Sequence, residues 1–115
     1  MAALSLALLV TAMALGAATL VRGQRCGRPP VAWGYVHATF ALTAVAVLTG
    51  RVVTGPENLL LNSALVVLGL AATGGLFTLA VRRRDEPPVL ALILLHATTG
   101  IIGAVLLLVG VLQGR

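Results

Sequence analysis

The chain has 115 residues, of which 59% are apolar and only 10% are charged. A water-soluble domain of this length needs far more polar surface, so the composition excludes that class and indicates a membrane protein. The formal net charge is +5, carried by arginines without a single lysine. Because the arginines lie between hydrophobic runs, we interpret the basic balance as a signal of membrane topology and not of nucleic-acid binding.

Four hydrophobic segments follow one another, each near the ~20 residues that cross a bilayer. They lie at about 3–21, 31–53, 59–81 and 89–112. None alternates apolar and polar residues, and each is too long for a core strand, so each is predicted to be a helix. The predicted breaks carry residues that stop helices, namely Gly23, Gly27, Pro29, Pro30, Gly55, Pro56, Asp85, Glu86, Pro87 and Pro88.

Short connections predict antiparallel neighbours, and therefore an all-α, up-down-up-down four-helix bundle that forms one domain over 1–115. The opposite side of the predicted bundle holds only Arg51 and Arg115, whereas the first and third connections hold Arg22, Arg25, Arg28, Arg82, Arg83 and Arg84. The positive-inside rule then predicts cytoplasmic arginine-rich connections and outside termini, in a bacterial inner (plasma) membrane. A cleaved signal peptide is the alternative for the first segment, but no basic residue precedes its apolar run.

The sequence repeats itself. "RPPVAWGYVHAT" at 28–39 is echoed by "EPPVLALILLHAT" at 86–98, and the similarity extends over 15–37 and 75–96. It predicts two tandem helical hairpins, about 1–55 and 56–115, related by a pseudo-two-fold axis along the membrane normal. That axis would place the two histidines of the chain, His37 and His96, opposite each other at one depth.

Each histidine lies roughly 10–12 Å along its helix, inside the hydrocarbon, where an ionisable residue is a functional candidate. No carboxylate within the predicted spans could pair with it. Small residues share this level and predict a gap for a flat cofactor: Gly16, Ala41, Ala44, Gly75, Gly100 and Gly103. We expect one haem b there, with His37 and His96 as the iron ligands and with Arg22 and Arg82 near the propionates.

In the repeated P-P-V…H-A-T segments the chain resembles the four-helix b-type membrane cytochromes, the cytochrome b561-like group in particular. The resemblance implies haem held between histidines of different transmembrane helices, and electron exchange with quinone, ascorbate or a membrane partner protein. Two-haem members need four ligand histidines, so this chain would hold one haem. It implies an electron-transfer protein more than a stand-alone enzyme, and it leaves a homodimer open.

A second interpretation has no cofactor. In a haem-free membrane scaffold or accessory subunit, each imidazole would bond to a backbone carbonyl or a threonine, and the glycines would serve close helix packing. A small transporter is a weaker third class, because proton- and sodium-coupled carriers commonly use an intramembrane acid. Zinc is disfavoured as the metal, because even catalytic zinc usually takes three protein ligands.

Overall fold

The computed structural model describes residues 1–27, 31–84 and 89–114, and over these ranges the chain forms four α-helices and no strand. The helices are α1 (Ala2–Cys26), α2 (Val31–Thr54), α3 (Leu59–Arg83) and α4 (Leu90–Gln113). At 1.5 Å per residue each helix is about 36 Å long, more than the ~30 Å hydrocarbon core of a bilayer. All four are also apolar enough to cross a membrane. The predicted all-α class with four helices of membrane-spanning length is therefore confirmed.

The end of α1 corrects the sequence analysis. The helix does not stop at Gly23 but continues to Cys26, and it ends at Gly27, whose φ of 80° suits a residue without a Cβ. A glycine inside a helix costs only about 1 kcal/mol, and the arginines on either side are good helix formers. Hydropathy underestimates this helix because its last turn is polar. The predicted stops at 29–30 and 85–88, and the arginines at 28 and 115, lie outside the described residues.

The connection between α2 and α3 is held by two polar side chains. Arg51 donates from Nη1 to the carbonyl oxygen of Pro56 at 3.1 Å. Asn58 caps α3, because its Oδ1 accepts from the backbone N–H groups of Leu60 and Leu61 at 3.0 and 3.2 Å. The sequence analysis did not identify this cap, although an asparagine directly before an apolar run is a usual signal for one.

The inside of the bundle combines small residues with leucines, whereas many large apolar residues face outward. Large side chains such as Val66, Leu70 and Phe77 are more than 60% exposed, as expected of helices that face lipid. The buried positions are mostly alanine, glycine, serine and leucine, namely Ser5, Leu9, Ala12, Ala44, Leu48, Leu61, Ala64, Leu68, Ala71, Gly103, Leu107 and Gly110. This distribution supports a bundle surrounded by hydrocarbon.

The buried positions recur along the chain. Leu9 and Leu68 are 59 residues apart, and the same offset relates further buried pairs: Ser5 and Ala64, Ala12 and Ala71, Ala44 and Gly103, and Leu48 and Leu107. The repeat noticed in the sequence therefore extends to which positions are buried. The most extensive packing is within each half, between α1 and α2 and between α3 and α4; of the helix pairs that pack together, α1 and α4 do so least.

Glycines of α4 receive leucines of α3. A Cβ built on Gly103 would come within 2.6 Å of Leu68, and one built on Gly110 within 2.7 Å of Leu61. Since real side chains do not approach so closely, an alanine at either position would force the facing leucine to shift. Along this seam, residue numbers rise on α3 as they fall on α4.

Candidate functional site between the two histidines

His37 of α2 is held by a backbone group of α1. Its Nδ1 lies 2.6 Å from the carbonyl oxygen of Ala12. A carbonyl oxygen can only accept, so Nδ1 carries the hydrogen and donates it. In the neutral imidazole the other nitrogen, Nε2, then keeps a free lone pair. A backbone carbonyl that fixes the tautomer in this way is also the usual outer partner of a metal-binding histidine.

His96 of α4 repeats the arrangement in the second half of the chain. Its Nδ1 lies 2.7 Å from the carbonyl oxygen of Ala71 on α3, 25 residues earlier, the same separation as between His37 and Ala12. Both rings therefore have the same tautomer and the same kind of anchor. The cofactor-free interpretation named a backbone carbonyl as a possible partner, and in both halves the carbonyl lies on the neighbouring helix.

The two rings meet inside the bundle. The ring centroids of His37 and His96 are 6.0 Å apart, and the ring planes are nearly perpendicular at 89°. The contact joins an imidazole of α2 to one of α4. A metal held about 2 Å from one nitrogen of each ring would place the ring centres about 6 Å apart. The separation of the rings, taken alone, equals that of two imidazoles sharing one metal ion.

The sequence analysis expected Gly16 and Gly75 to leave empty space beside the imidazoles. The structure shows that they do not. A Cβ built on Gly16 would lie 3.0 Å from Cε1 of His37, and one built on Gly75 would lie 2.7 Å from Cε1 of His96. The rings themselves occupy these gaps. Each glycine lets an imidazole reach the carbonyl one turn earlier in the same helix, so its role is to position the ring.

Two further predicted small residues also differ from expectation. At Gly103 the space that a side chain would take is occupied by Leu68, as described above. Ala44 is fully buried, and its carbonyl oxygen accepts from the hydroxyl of Ser5 at 2.7 Å. Both pack helices together, because close backbone approach needs small side chains. Neither is placed where a cofactor would contact it in this packing.

Ala41 and Gly100 do line a cavity at the histidines. It has a volume of about 70 Å³ and is bordered by both imidazoles together with Leu9, Ala12, Met13, Val45, Leu68, Ala71 and Ala72. Of these residues, Met13, Ala12, Ala71 and Ala72 were not predicted as site residues. Ala12 and Ala71 are 59 residues apart, as are the two histidines, so the repeat could have paired these two alanines. Nothing in the sequence distinguishes Met13 from a core residue.

A second hollow borders His96 on its outer side. It measures about 220 Å³, is partly open, and is lined by Leu70, Gly74, Leu92, Leu95, His96 and Thr99. In the first half the positions 59 residues earlier hold bulkier groups at three of these places, Leu15, Trp33 and Phe40. The site is therefore less symmetric than the repeat suggests, with more room beside His96.

The two predicted arginines lie beyond the histidines, near the helix ends. The guanidinium carbon of Arg22 lies 4.9 Å from the ring centre of Trp33, a cation–π distance. Trp33 is one helical turn before His37, so Arg22 is on the same side of the bundle as that imidazole. Arg82 is half-buried in the last turn of α3. A role for either arginine toward propionates stays a prediction.

A haem between His37 and His96 needs axial nitrogens and room for the porphyrin. The nitrogens are suitable, because Nδ1 is anchored and Nε2 is left to coordinate. The room is not present, because the cavity of about 70 Å³ is well below the ~300 Å³ at which cofactor pockets begin. The ligand pair fits a haem and the closed bundle does not, so the helices would have to separate to admit one.

Other metal-binding groupings are not evident. Over residues 1–27, 31–84 and 89–114, no three His, Cys, Asp or Glu side chains cluster so that they could hold a metal ion. Any metal at this level must therefore use the two imidazoles and ligands of another kind. In comparisons with known proteins, no family model, curated protein or solved structure matches the chain significantly.

Proposed function

We propose that this chain is a small electron-transfer protein of the membrane whose redox metal is held by His37 and His96. The observation that carries the proposal is the pair itself: two imidazoles 6.0 Å apart, each with Nδ1 donated to a backbone carbonyl. This arrangement leaves both Nε2 atoms as ligands of matched character. Within an apolar bundle, polar side chains are costly, and their presence is a functional signal.

For the metal group we propose one haem b, as expected from the resemblance to the b-type membrane cytochromes. His37 and His96 would hold its iron, and Arg22 and Arg82, near the helix ends, would be the cations available to its propionates. When bound, the group would supply a reversible one-electron iron couple. The chain's own part is to hold the two rings in one tautomer. Because the cavity between them is only about 70 Å³, the helices would have to part on binding.

The proposed architecture is an up-down-up-down bundle of two hairpins about a pseudo-two-fold axis along the membrane normal. Two observations support it: the buried positions recur 59 residues apart, and residue numbers run in opposite directions where α3 meets α4. With the arginine-rich connections in the cytoplasm, the termini would lie outside a bacterial inner membrane. Quinone or a membrane redox protein would then exchange electrons with the site, in a monomer or a homodimer.

Optical spectroscopy of the purified full chain tests the haem. After expression in haem-replete cells or haem titration in detergent, we expect a Soret band with sharp α and β bands on reduction. His37→Ala and His96→Ala should each remove the low-spin spectrum, whereas the exposed Thr54→Ala at the far end of α2 should keep it. Binding should also expand the bundle, measurable as faster hydrogen exchange in α1 and α4.

The alternative is a haem-free scaffold or accessory subunit of a larger membrane complex. Two observations favour it specifically: the small cavity of about 70 Å³, and the fact that, across the described ranges, every buried side-chain nitrogen and oxygen already has a hydrogen-bond partner. A colourless protein that takes up no haem in titration would select this function. In that case His37→Ala should weaken helix packing without any spectroscopic consequence.

A further inference from the structure

We infer that the closed bundle is a binding site for a single Cu(I) ion, coordinated by Nε2 of His37, Nε2 of His96 and the thioether sulfur of Met13. This site uses the same two histidines as the proposed function but does not depend on haem. It explains why an anchored imidazole pair borders a cavity of about 70 Å³, which has the size of an ion with its ligands and not of a porphyrin.

The two imidazoles supply the first part of the site. Their centroids are 6.0 Å apart, the separation expected when one ion lies about 2 Å from a nitrogen of each ring. Both Nδ1 atoms are already donating to carbonyl oxygens. Each ring can therefore offer Nε2 without a change of tautomer, and the outer partners that orient a ligand histidine are in place before any ion arrives.

Met13 supplies the element that selects the metal. Its side chain borders the same cavity as both histidines. A thioether is a soft, uncharged ligand that favours Cu(I), whereas imidazole is accepted by several metals. Zinc is bound in proteins by thiolate, imidazole and carboxylate ligands, and a thioether is not among these. The ligand set thus distinguishes monovalent copper from the commoner divalent ions.

Charge leads to the same ion. The cavity is lined by apolar side chains and the two imidazoles, and no carboxylate borders it. Since the cost of burying an ion rises steeply with its charge, a divalent cation without a counter-charge is strongly disfavoured in such surroundings. A monovalent ion costs much less. Glu57, an acidic residue of the described chain, lies in the connection between α2 and α3 and not at this level.

The thioether is present in one half of the repeat only. The position 59 residues after Met13 is Ala72, which borders the same cavity. The chain therefore has a natural place to which the sulfur can be moved. A methionine at 72 should reach the ion from the other side of the pair, and this gives a test that separates coordination from packing.

The test uses the full chain in detergent, reduced and free of oxygen, with Cys26→Ser in every protein so that the thiol cannot bind copper. Cu(I) is presented in competition with the chelator bicinchoninate, and the copper retained is measured by absorbance and by atomic absorption. We expect one Cu(I) per chain, not displaced by Zn(II). X-ray absorption should show two nitrogen scatterers and one sulfur scatterer.

Variants then assign the ligands. Met13→Leu should weaken Cu(I) binding about tenfold or more, a loss of at least about 1.4 kcal/mol, and should remove the sulfur scatterer. Adding Ala72→Met to Met13→Leu should restore both. Adding Val66→Met, on the exposed face of α3, should restore neither, although it returns the same number of methionines. His37→Gln or His96→Gln should abolish binding.

Three outcomes would overturn the inference: no copper retained against the chelator, copper retained equally in both histidine variants, or no effect of Met13→Leu on affinity or on the sulfur signal. Because haem and Cu(I) would both use Nε2, haem loading should release the copper if both proposals hold. A protein that binds no haem but passes the copper tests would refute only the haem. One that shows haem bands but fails the copper tests would refute only the copper site.

Discussion

Gly75 stands directly under the imidazole of His96, so close that a Cβ on Gly75 would lie 2.7 Å from Cε1 of the ring. Side chains do not pack at that distance, and the ring cannot retreat without losing the hydrogen bond from Nδ1 to the carbonyl oxygen of Ala71. The glycine therefore fixes where the imidazole lies. It acts on the site through the position of the ring and not through contact with a ligand.

We expect Gly75→Ala to displace His96 and to destabilise the bundle by about 1–3 kcal/mol, the usual range for overpacking. The change is measured by reversible unfolding in mixed detergent, and the ring by the nitrogen chemical shifts of labelled histidine. Gly69→Ala on the same helix is the control, because a Cβ there meets nothing within 4 Å. Equal behaviour of the two variants would show that Gly75 does not position the ring.

The distribution of leucines makes a second prediction. Leu48 is fully buried, whereas Leu70 is 63% exposed on the outer face of α3. Leu48→Ala should cost about 2–5 kcal/mol of unfolding free energy, because it leaves a cavity in the core. Leu70 is in contact with lipid in both the folded and the unfolded state of a membrane protein. Leu70→Ala should therefore lower the unfolding free energy much less. Similar losses in both variants would argue against a lipid-facing outer surface.

The number and the positions of the helices could be predicted because hydropathy measures directly what a bilayer requires. Only the end of α1 was placed wrongly. Beyond residue 21 the helix continues on the helix propensity of polar residues such as Arg22 and Arg25, which a hydropathy window counts as a break. Local hydrogen bonding decides where a helix ends at the membrane surface. The amino-acid composition of a hydropathy window carries little information about such hydrogen bonds.

The site could be predicted in part for a different reason. A repeat constrains depth and side, so His37 and His96 could be paired from the sequence. The packing role of each glycine could not be predicted. A glycine indicates that space is left beside the backbone, but the sequence does not say which neighbouring side chain occupies that space. At Gly16 and Gly75 the filling group is the imidazole, and at Gly103 it is Leu68. The contribution of Met13 depends on helix rotation, which an apolar sequence does not specify.

Ser5 makes the third prediction. Its buried hydroxyl donates to the carbonyl oxygen of Ala44 at 2.7 Å and joins α1 to α2. Hydrogen bonds of this kind between membrane helices average about 0.6 kcal/mol and reach about 1.7. Ser5→Ala should lower the unfolding free energy by that amount. Thr43→Ala, which removes an exposed hydroxyl bonded within its own helix, is the control, and a larger effect there would contradict the assignment.

The contact between Arg22 and Trp33 can be followed by fluorescence, because the chain has a single tryptophan. The guanidinium lies 4.9 Å from the ring centre, and such contacts are worth about 0.5–1 kcal/mol at exposed sites. Arg22→Gln should change the intensity and the emission maximum of Trp33. Arg25→Gln removes the same charge from the same last turns of α1 and should leave the emission unchanged. A shift of equal size in both would indicate a general charge effect.

Membrane orientation gives the last prediction. Cys26, the only cysteine of the chain, is the last residue of α1, on the side where the positive-inside rule places the cytoplasm. In right-side-out bacterial spheroplasts a membrane-impermeant maleimide should label Cys26 only after permeabilisation. Cys26→Ser combined with Glu57→Cys moves the thiol to the exposed connection between α2 and α3, which should react without permeabilisation. The two positions lie at opposite ends of α2. The reverse labelling pattern would therefore show that the predicted topology is inverted, with the termini in the cytoplasm and the Arg22 end outside.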